Sequence, residues 1–144
     1  MVNIARLTKW EELDTILPMM LEFHRGNKYY RLYPTSGFLS WLTLNFLNSN
    51  LAVWGIYRDG NVVGYSICQI SWKWMVKECS IVDAVFGENQ EELSKLLEKE
   101  IVDWANKNEC TRLEAITGRV EAMERKYNAE CVAGIIIRKL EPEV

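Results

Sequence analysis

The chain has 144 residues and fits one domain spanning 1–144, with 49% apolar residues and six tryptophans to build a single core. Charged residues make up 26% and Pro and Gly are sparse, which excludes a disordered chain. A net charge of −3, without a clustered basic surface, argues against a nucleic-acid partner.

In chain order, residues 2–7 read as a short strand. Thr8 and Glu11 then form a capping-box pattern, and Leu13, Ile16, Leu17, Met20 and Leu21 recur at helical spacing. Pro18 predicts a kink or break in that helix, which fades near residues 25–27. A loop over 28–34 carries Tyr29, Tyr30, Arg31 and Tyr33. Phe38, Trp41, Leu42 and Asn45 then follow a second helical period, ending at 48–50.

From residue 51 the period changes. Residues 51–58 and 62–72 read as strands joined by Asp59-Gly60, a strong two-residue hairpin signal. Residues 75–86 form a further strand, turned near Trp72-Lys73-Trp74. Gly87 breaks the pattern. Asn89 with Glu92 then caps a long helix carrying Leu93, Leu96, Leu97, Ile101, Trp104 and Ala105 on one face. Its acidic start suits the helix dipole. Residues 112–117 are strand-like, 118–127 a short helix and 131–140 a last strand. The order is β-α-α-β-β-β-α-β-α-β, an α/β (α+β) arrangement with a mostly antiparallel mixed sheet flanked by helices.

No apolar run approaches the roughly 18 residues that span a bilayer, and residues 1–9 lack the apolar stretch of a signal peptide. A cytoplasmic protein with no membrane partner is expected. The four cysteines, Cys68, Cys79, Cys110 and Cys131, show no CxxC pair and are accompanied by one histidine, so no metal is expected and buried free thiols are. His24, at the end of the first helix, reads as a cation meeting the helix dipole. No histidine stands near Cys79 or Cys131 in sequence to activate either thiol.

The element order, together with Glu98-Lys99-Glu100-Ile101-Val102-Asp103-Trp104-Ala105, Cys110-Thr111-Arg112-Leu113-Glu114, Gly118-Arg119 and Arg138-Lys139-Leu140, resembles the GNAT (N-acetyltransferase-like) superfamily, and within it a group frequent in bacteriophages and prophages. The resemblance implies that residues 79–86 splay from 113–117 to admit the pantetheine arm of acetyl-CoA or another acyl-CoA. It implies that the pyrophosphate rests on backbone amides at the next helix N-terminus. The implied cofactor-binding residues are Val85, Phe86, Gly87, Asn89 and Gln90. Where the family usually carries a basic or Gln residue and two small ones, this chain has one glycine, no basic residue and Glu88, Glu91 and Glu92, an eroded loop. The family's general acid is a Tyr on the short final helix. If Asn128-Ala129 replaces the family's Gly-Phe pair, that position holds Glu124, with Tyr127 a helical turn away.

For the general base, Glu78 and Asp83 are the carboxylates on the middle strands. Five positions apart on one strand, they are expected on opposite faces, so only one points to the cleft. The implied function is acyl transfer to an amine of a small molecule or protein. The alternative is a catalytically silent phage-encoded protein, a virion or assembly component or a binder of a host protein. Tyr29, Tyr30, Arg31 and Tyr33 are candidates for an interaction surface. Trp72 and Trp74, at alternate positions, read either as one exposed aromatic patch or as caps on the end of the core.

Overall fold

The computed structural model describes residues 1–27, 33–115 and 130. They form β1 (Val2–Arg6), α1 (Trp10–Gly26), α2 (Thr35–Asn45), β2 (Leu51–Arg58), β3 (Asn61–Lys73), β4 (Val76–Phe86), α3 (Gln90–Lys107) and β5 (Arg112–Ala115). The helix and strand expected over 118–127 and 131–140 lie outside the described residues. The sheet runs in the order β1-β2-β3-β4-β5, antiparallel from β1 to β4, with β5 parallel to β4.

Helix α1 is continuous from Trp10 to Gly26, so Pro18 does not end it. Its start lies one residue later than the sequence pattern suggests. Glu12, not Glu11, reaches back, its carboxylate accepting from the Lys9 amide at 2.9 Å and the Thr8 amide at 3.1 Å. Leu13, Ile16, Met20 and His24 form its buried stripe, at the 3-4-4 spacing that places side chains on one helix face.

Two apolar layers enclose the sheet. On one face α1 and α2 bring Leu13, Ile16, Met20 and Leu42 against Leu51, Val53, Tyr65 and Ile67. On the other, α3 brings Leu93, Leu97, Ile101 and Ala105 against Ala52, Trp54, Ile56, Cys68 and Cys79. Gly64 permits the close approach of β3 and β4, since a Cβ there would lie 2.7 Å from the Val85 carbonyl oxygen. Among the described residues no helix is long and apolar enough to cross a membrane.

Both hairpins turn through two residues of positive φ, Asp59 and Gly60 between β2 and β3, Trp74 and Met75 between β3 and β4. That is the geometry of a type I′ turn. Met75 is therefore a turn residue rather than the first residue of a strand, and Trp72 and Lys73, expected in the turn, belong to β3. Strand β4 carries one extra residue: Asp83 pairs with Ile67 and Ile81 with Cys68, leaving Val82 as a bulge. The bulge overturns the expected placement of Glu78 and Asp83 on opposite faces. Glu78 pairs with Ser71 and Asp83 with Ile67, four positions apart on β3, so the two carboxylates share the α1–α2 face.

Candidate active site

The α1–α2 face of β4 holds a buried polar cluster. Asp83 Oδ2 lies 3.0 Å from His24 Nε2 and accepts from the Tyr65 hydroxyl at 3.1 Å. The side chains of His24 and Asp83 are 4% and 0% exposed, and Tyr65 is fully buried. Each comes from a different element: His24 from the buried stripe of α1, Tyr65 from β3, and Asp83 from the residue after the bulge. The imidazole also packs against Phe38 of α2, ring centroids 3.9 Å apart and the planes tilted by 42°. His24 is thus a partner of Asp83 inside the core, not a surface cation at a helix end. Its signal in the sequence was the step of four from Met20, which continues the apolar stripe.

Glu78 is also buried, at 4% exposure, and meets Arg112 Nη1 of β5 at 3.5 Å. Four strand steps, about 13 Å, separate it from Asp83, so the two carboxylates cannot act on one proton. Only Asp83 has an imidazole beside it. Among the described residues the β4–β5 ladder runs from the Glu78–Arg112 pair to the Ile81–Ala115 pair.

Phe86 and Gly87 lead from the end of β4 to α3. Val85 faces α1 and α2, and Phe86 faces α3. The Gly87 amide donates to the Val63 carbonyl at 2.7 Å, and a Cβ at Gly87 would lie 3.2 Å from that same oxygen. Asn89 precedes the helix in the left-handed conformation, φ 30° and ψ 58°, and does not cap it. Its side-chain amide instead donates to Glu92 Oε2 at 2.6 Å. The first-turn amides of Gln90, Glu91 and Glu92 have no intrahelical acceptor, and no side-chain acceptor contacts them among the described residues.

The loop lacks a basic residue in sequence but gains one in space. Arg58, at the end of β2, donates through Nε to Glu88 Oε1 at 2.5 Å and through Nη2 to Glu92 Oε2 at 3.2 Å. The hydrogen bonds to Glu88 and Glu92 raise the guanidinium above its ordinary value. Sequence reasoning missed Arg58 because it lies thirty residues from Glu88.

The thiols stand apart from this cluster. Cys68 and Cys79 are buried against α3, and Cys110 is partly buried. The hydrogen bond with Cys79, together with burial, pushes the Cys68 thiol well above its usual range. Cys131 lies outside the described residues. Among the described residues, no group of three or more His, Cys, Asp or Glu side chains is arranged to hold a metal ion.

Of the remaining candidates, Tyr127, Tyr29, Tyr30 and Arg31 lie outside the described residues. Tyr33 is half exposed, at 52%. Trp72 and Trp74 are exposed at the end of the β3–β4 hairpin and do not cap the core.

No protein-family model matches the chain, and no curated protein matches it. Solved structures do. The aminoglycoside antibiotic 6'-N-acetyltransferase AAC(6')-Ih from Acinetobacter baumannii aligns over 99% of this chain and 100% of its own, with a TM-score of 0.77 at 10% identity. AAC(6')-Iy, solved with the bisubstrate analogue CoA-S-monomethyl-acetylneamine, aligns over 99% of both chains, with a TM-score of 0.74 at 14% identity. Ribosomal-protein-alanine N-acetyltransferase from Brucella melitensis biovar Abortus 2308 aligns over 99% of this chain and 100% of its own, with a TM-score of 0.67 at 17% identity. The mixed sheet, five strands of it among the described residues, with α1 and α2 on one face and α3 on the other, has the GNAT fold.

Proposed function

We propose that the chain is a cytoplasmic acyl-CoA-dependent N-acyltransferase, taking acetyl-CoA or another acyl-CoA as donor and a small-molecule or protein amine as acceptor. The observation that carries this reading is the buried His24–Asp83–Tyr65 cluster beside the β4 bulge, in a fold shared with N-acetyltransferases. A buried imidazole–carboxylate pair offers a proton acceptor, and an amine must shed a proton as it attacks.

The acyl-CoA supplies a thioester, whose acyl carbon takes the amine and whose sulfur leaves as a thiolate. Its anionic diphosphate suits the open amides of Gln90, Glu91 and Glu92 at the positive end of α3. Arg58 stands beside them and can exchange Glu88 and Glu92 for phosphate oxygens, so the residues present fit the group even though three carboxylates crowd the turn. Val85, Phe86, Gly87, Asn89 and Gln90 line the approach. Asp83 holds the amine proton through His24, while the Tyr65 hydroxyl keeps the carboxylate oriented. Because both acid–base side chains are covered, a bridging water or a shift of α1 brings the proton to them. Glu78 is the second candidate base, and Tyr127 is the proposed donor to the leaving thiolate.

Calorimetric titration with acetyl-CoA and with CoA tests the reading. Micromolar binding is expected, and transfer to an amine panel should fall at least ~100-fold in Asp83→Asn. No heat at millimolar ligand from folded protein would overturn it. The Arg58 fork to Glu88 and Glu92 favours the second reading, since it closes the turn with the chain's own charges. On that reading the chain is a silent member of the fold, phage-encoded, that binds a host protein or serves in a virion.

A further inference from the structure

The two hairpins share one turn geometry and differ in what fills it. Asp59-Gly60 is a pair that the type I′ turn favours. Trp74 and Met75 occupy the same left-handed conformation at φ 49° and 70°, where bulky side chains are outliers. Neither packs on the core: Trp74 is 88% and Met75 91% exposed, and Trp72 beside them is 67% exposed. Strained backbone that carries unburied apolar side chains does nothing for folding, so these residues serve a contact outside the chain.

The chemistry of the tip selects the kind of contact. Lys73 Nζ lies 5.3 Å from the Trp74 ring centroid, and Lys77 Nζ lies 5.8 Å from that of Trp72. In a chain of net charge −3, this end pairs two ammonium groups with two indoles. Indoles settle at the headgroup level of a bilayer, and lysine stems lie along apolar surface with the charge among phosphates. A stable protein interface takes about 800 Å² from each partner. Two indoles, at roughly 150–250 Å² each, and one methionine fall short of that area. A bilayer needs no matching pocket, so a small convex tip suffices.

We infer that the β3–β4 hairpin tip, Trp72, Lys73, Trp74, Met75 and Lys77, is a peripheral docking element for anionic lipid surfaces. It inserts its indoles at the interface and sets its lysines against the phosphates. This revises the expectation of no membrane partner, which rested on the lack of a spanning segment. It is independent of the acyl-transfer reading.

Co-sedimentation with vesicles tests the inference, comparing phosphatidylcholine alone with phosphatidylcholine carrying 30% (roughly the upper range of natural anionic content) phosphatidylglycerol. Half-binding is expected at roughly 0.1–1 mM anionic lipid, the range of a single acyl anchor. It should be about 25-fold weaker on neutral vesicles, about fivefold for each lysine. Trp74→Asn with Met75→Gly installs the favoured turn pair. That variant should fold with an equal or higher Tm, lose at least tenfold in binding and show a smaller blue shift of tryptophan emission on adding anionic vesicles, since Trp72 remains. Lys73→Glu with Lys77→Glu should abolish the preference for anionic lipid. Failure of the natural chain to sediment with anionic vesicles at millimolar lipid overturns the inference. So does undiminished binding in Trp74→Asn/Met75→Gly. Concentration-dependent dimerisation without lipid that this same variant abolishes overturns it too, and assigns the tip to a second copy of the chain.

Discussion

The two faces of the sheet are built on different terms. Against α3 the contacts are almost wholly apolar: Leu93, Leu97 and Ile101 meet Ala52, Trp54, Ile56 and two buried thiols. Against α1 and α2 a second apolar layer holds a carboxylate with an imidazole and a phenol each within hydrogen-bonding reach of it. A buried charge pair can often be replaced by apolar side chains of similar size at no loss of stability. Keeping Asp83 and His24 buried is therefore a poor way to hold the sheet together, whereas the α3 face needs no other explanation. On the proposed function the contrast divides the two faces, stability on one and chemistry on the other, and mutations on each can break that division.

The largest effect is expected on the α3 face. Leu97→Ala removes a fully buried side chain and should cost about 2–5 kcal/mol in urea unfolding. Acyl-CoA binding per folded molecule should stay unchanged; a loss of affinity beyond the unfolded fraction would break the division. Asp83→Asn should cost less, about 1–3 kcal/mol, yet reduce turnover far more than Leu97→Ala while leaving CoA affinity intact. Tyr65→Phe removes one neutral donor to Asp83, with a loss of about 0.5–1.5 kcal/mol. An accompanying change in the pH profile of turnover would mark Tyr65 as a positioning residue, where a purely structural role would lower Tm alone.

Smaller effects sharpen the picture at the edges. Arg58→Ala breaks two partly exposed ion pairs, so thermal stability should change by under about 1 kcal/mol and less at high salt. CoA affinity in that variant decides whether Arg58 exchanges its carboxylates for phosphate: several-fold weakening supports the exchange, and tightening identifies Arg58 as part of a closed turn. Smallest is Glu12, whose carboxyl is held below its ordinary value chiefly by the Thr8 amide, with Lys9 adding to it. Such a group adds stability above its unfolded pKa and loses it as pH falls through the folded value. Glu12→Gln should flatten the Tm-against-pH curve by slightly lowering the neutral plateau while leaving the acid end nearly in place.

Much of the fold was legible because periodicity reports burial. The stripe of α1, the long face of α3 and the Asp59-Gly60 turn could all be read from spacing and turn chemistry. The site was legible only in pieces. Asp83 and Glu78 stood out as carboxylates on strands, but parity assigned them to opposite faces. A bulge inserts one residue without any mark in a run such as Ser80-Ile81-Val82-Asp83-Ala84, so parity reverses where nothing in the sequence warns of it. The Asp83–His24 and Arg58–Glu88 contacts join residues 59 and 30 positions apart, which one sequence cannot pair. The β3–β4 turn was expected near Trp72-Lys73-Trp74, but its position at Trp74-Met75 was not legible, because these residues contradict the chemistry that usually marks such turns.

Pro18 has a consequence for motion rather than architecture. With no amide at position 18, the Asp14 carbonyl lacks its usual helical donor, which leaves one gap in the hydrogen-bond ladder near the middle of the continuous helix α1, with a stretch on either side. Opening of one stretch need not propagate to the other, so amide exchange should report two protection levels along a single helix. His24 belongs to the second stretch, whose core contacts run through Met20. The His24 amide is therefore expected to share the protection level of this second stretch and not that of the first turns of α1.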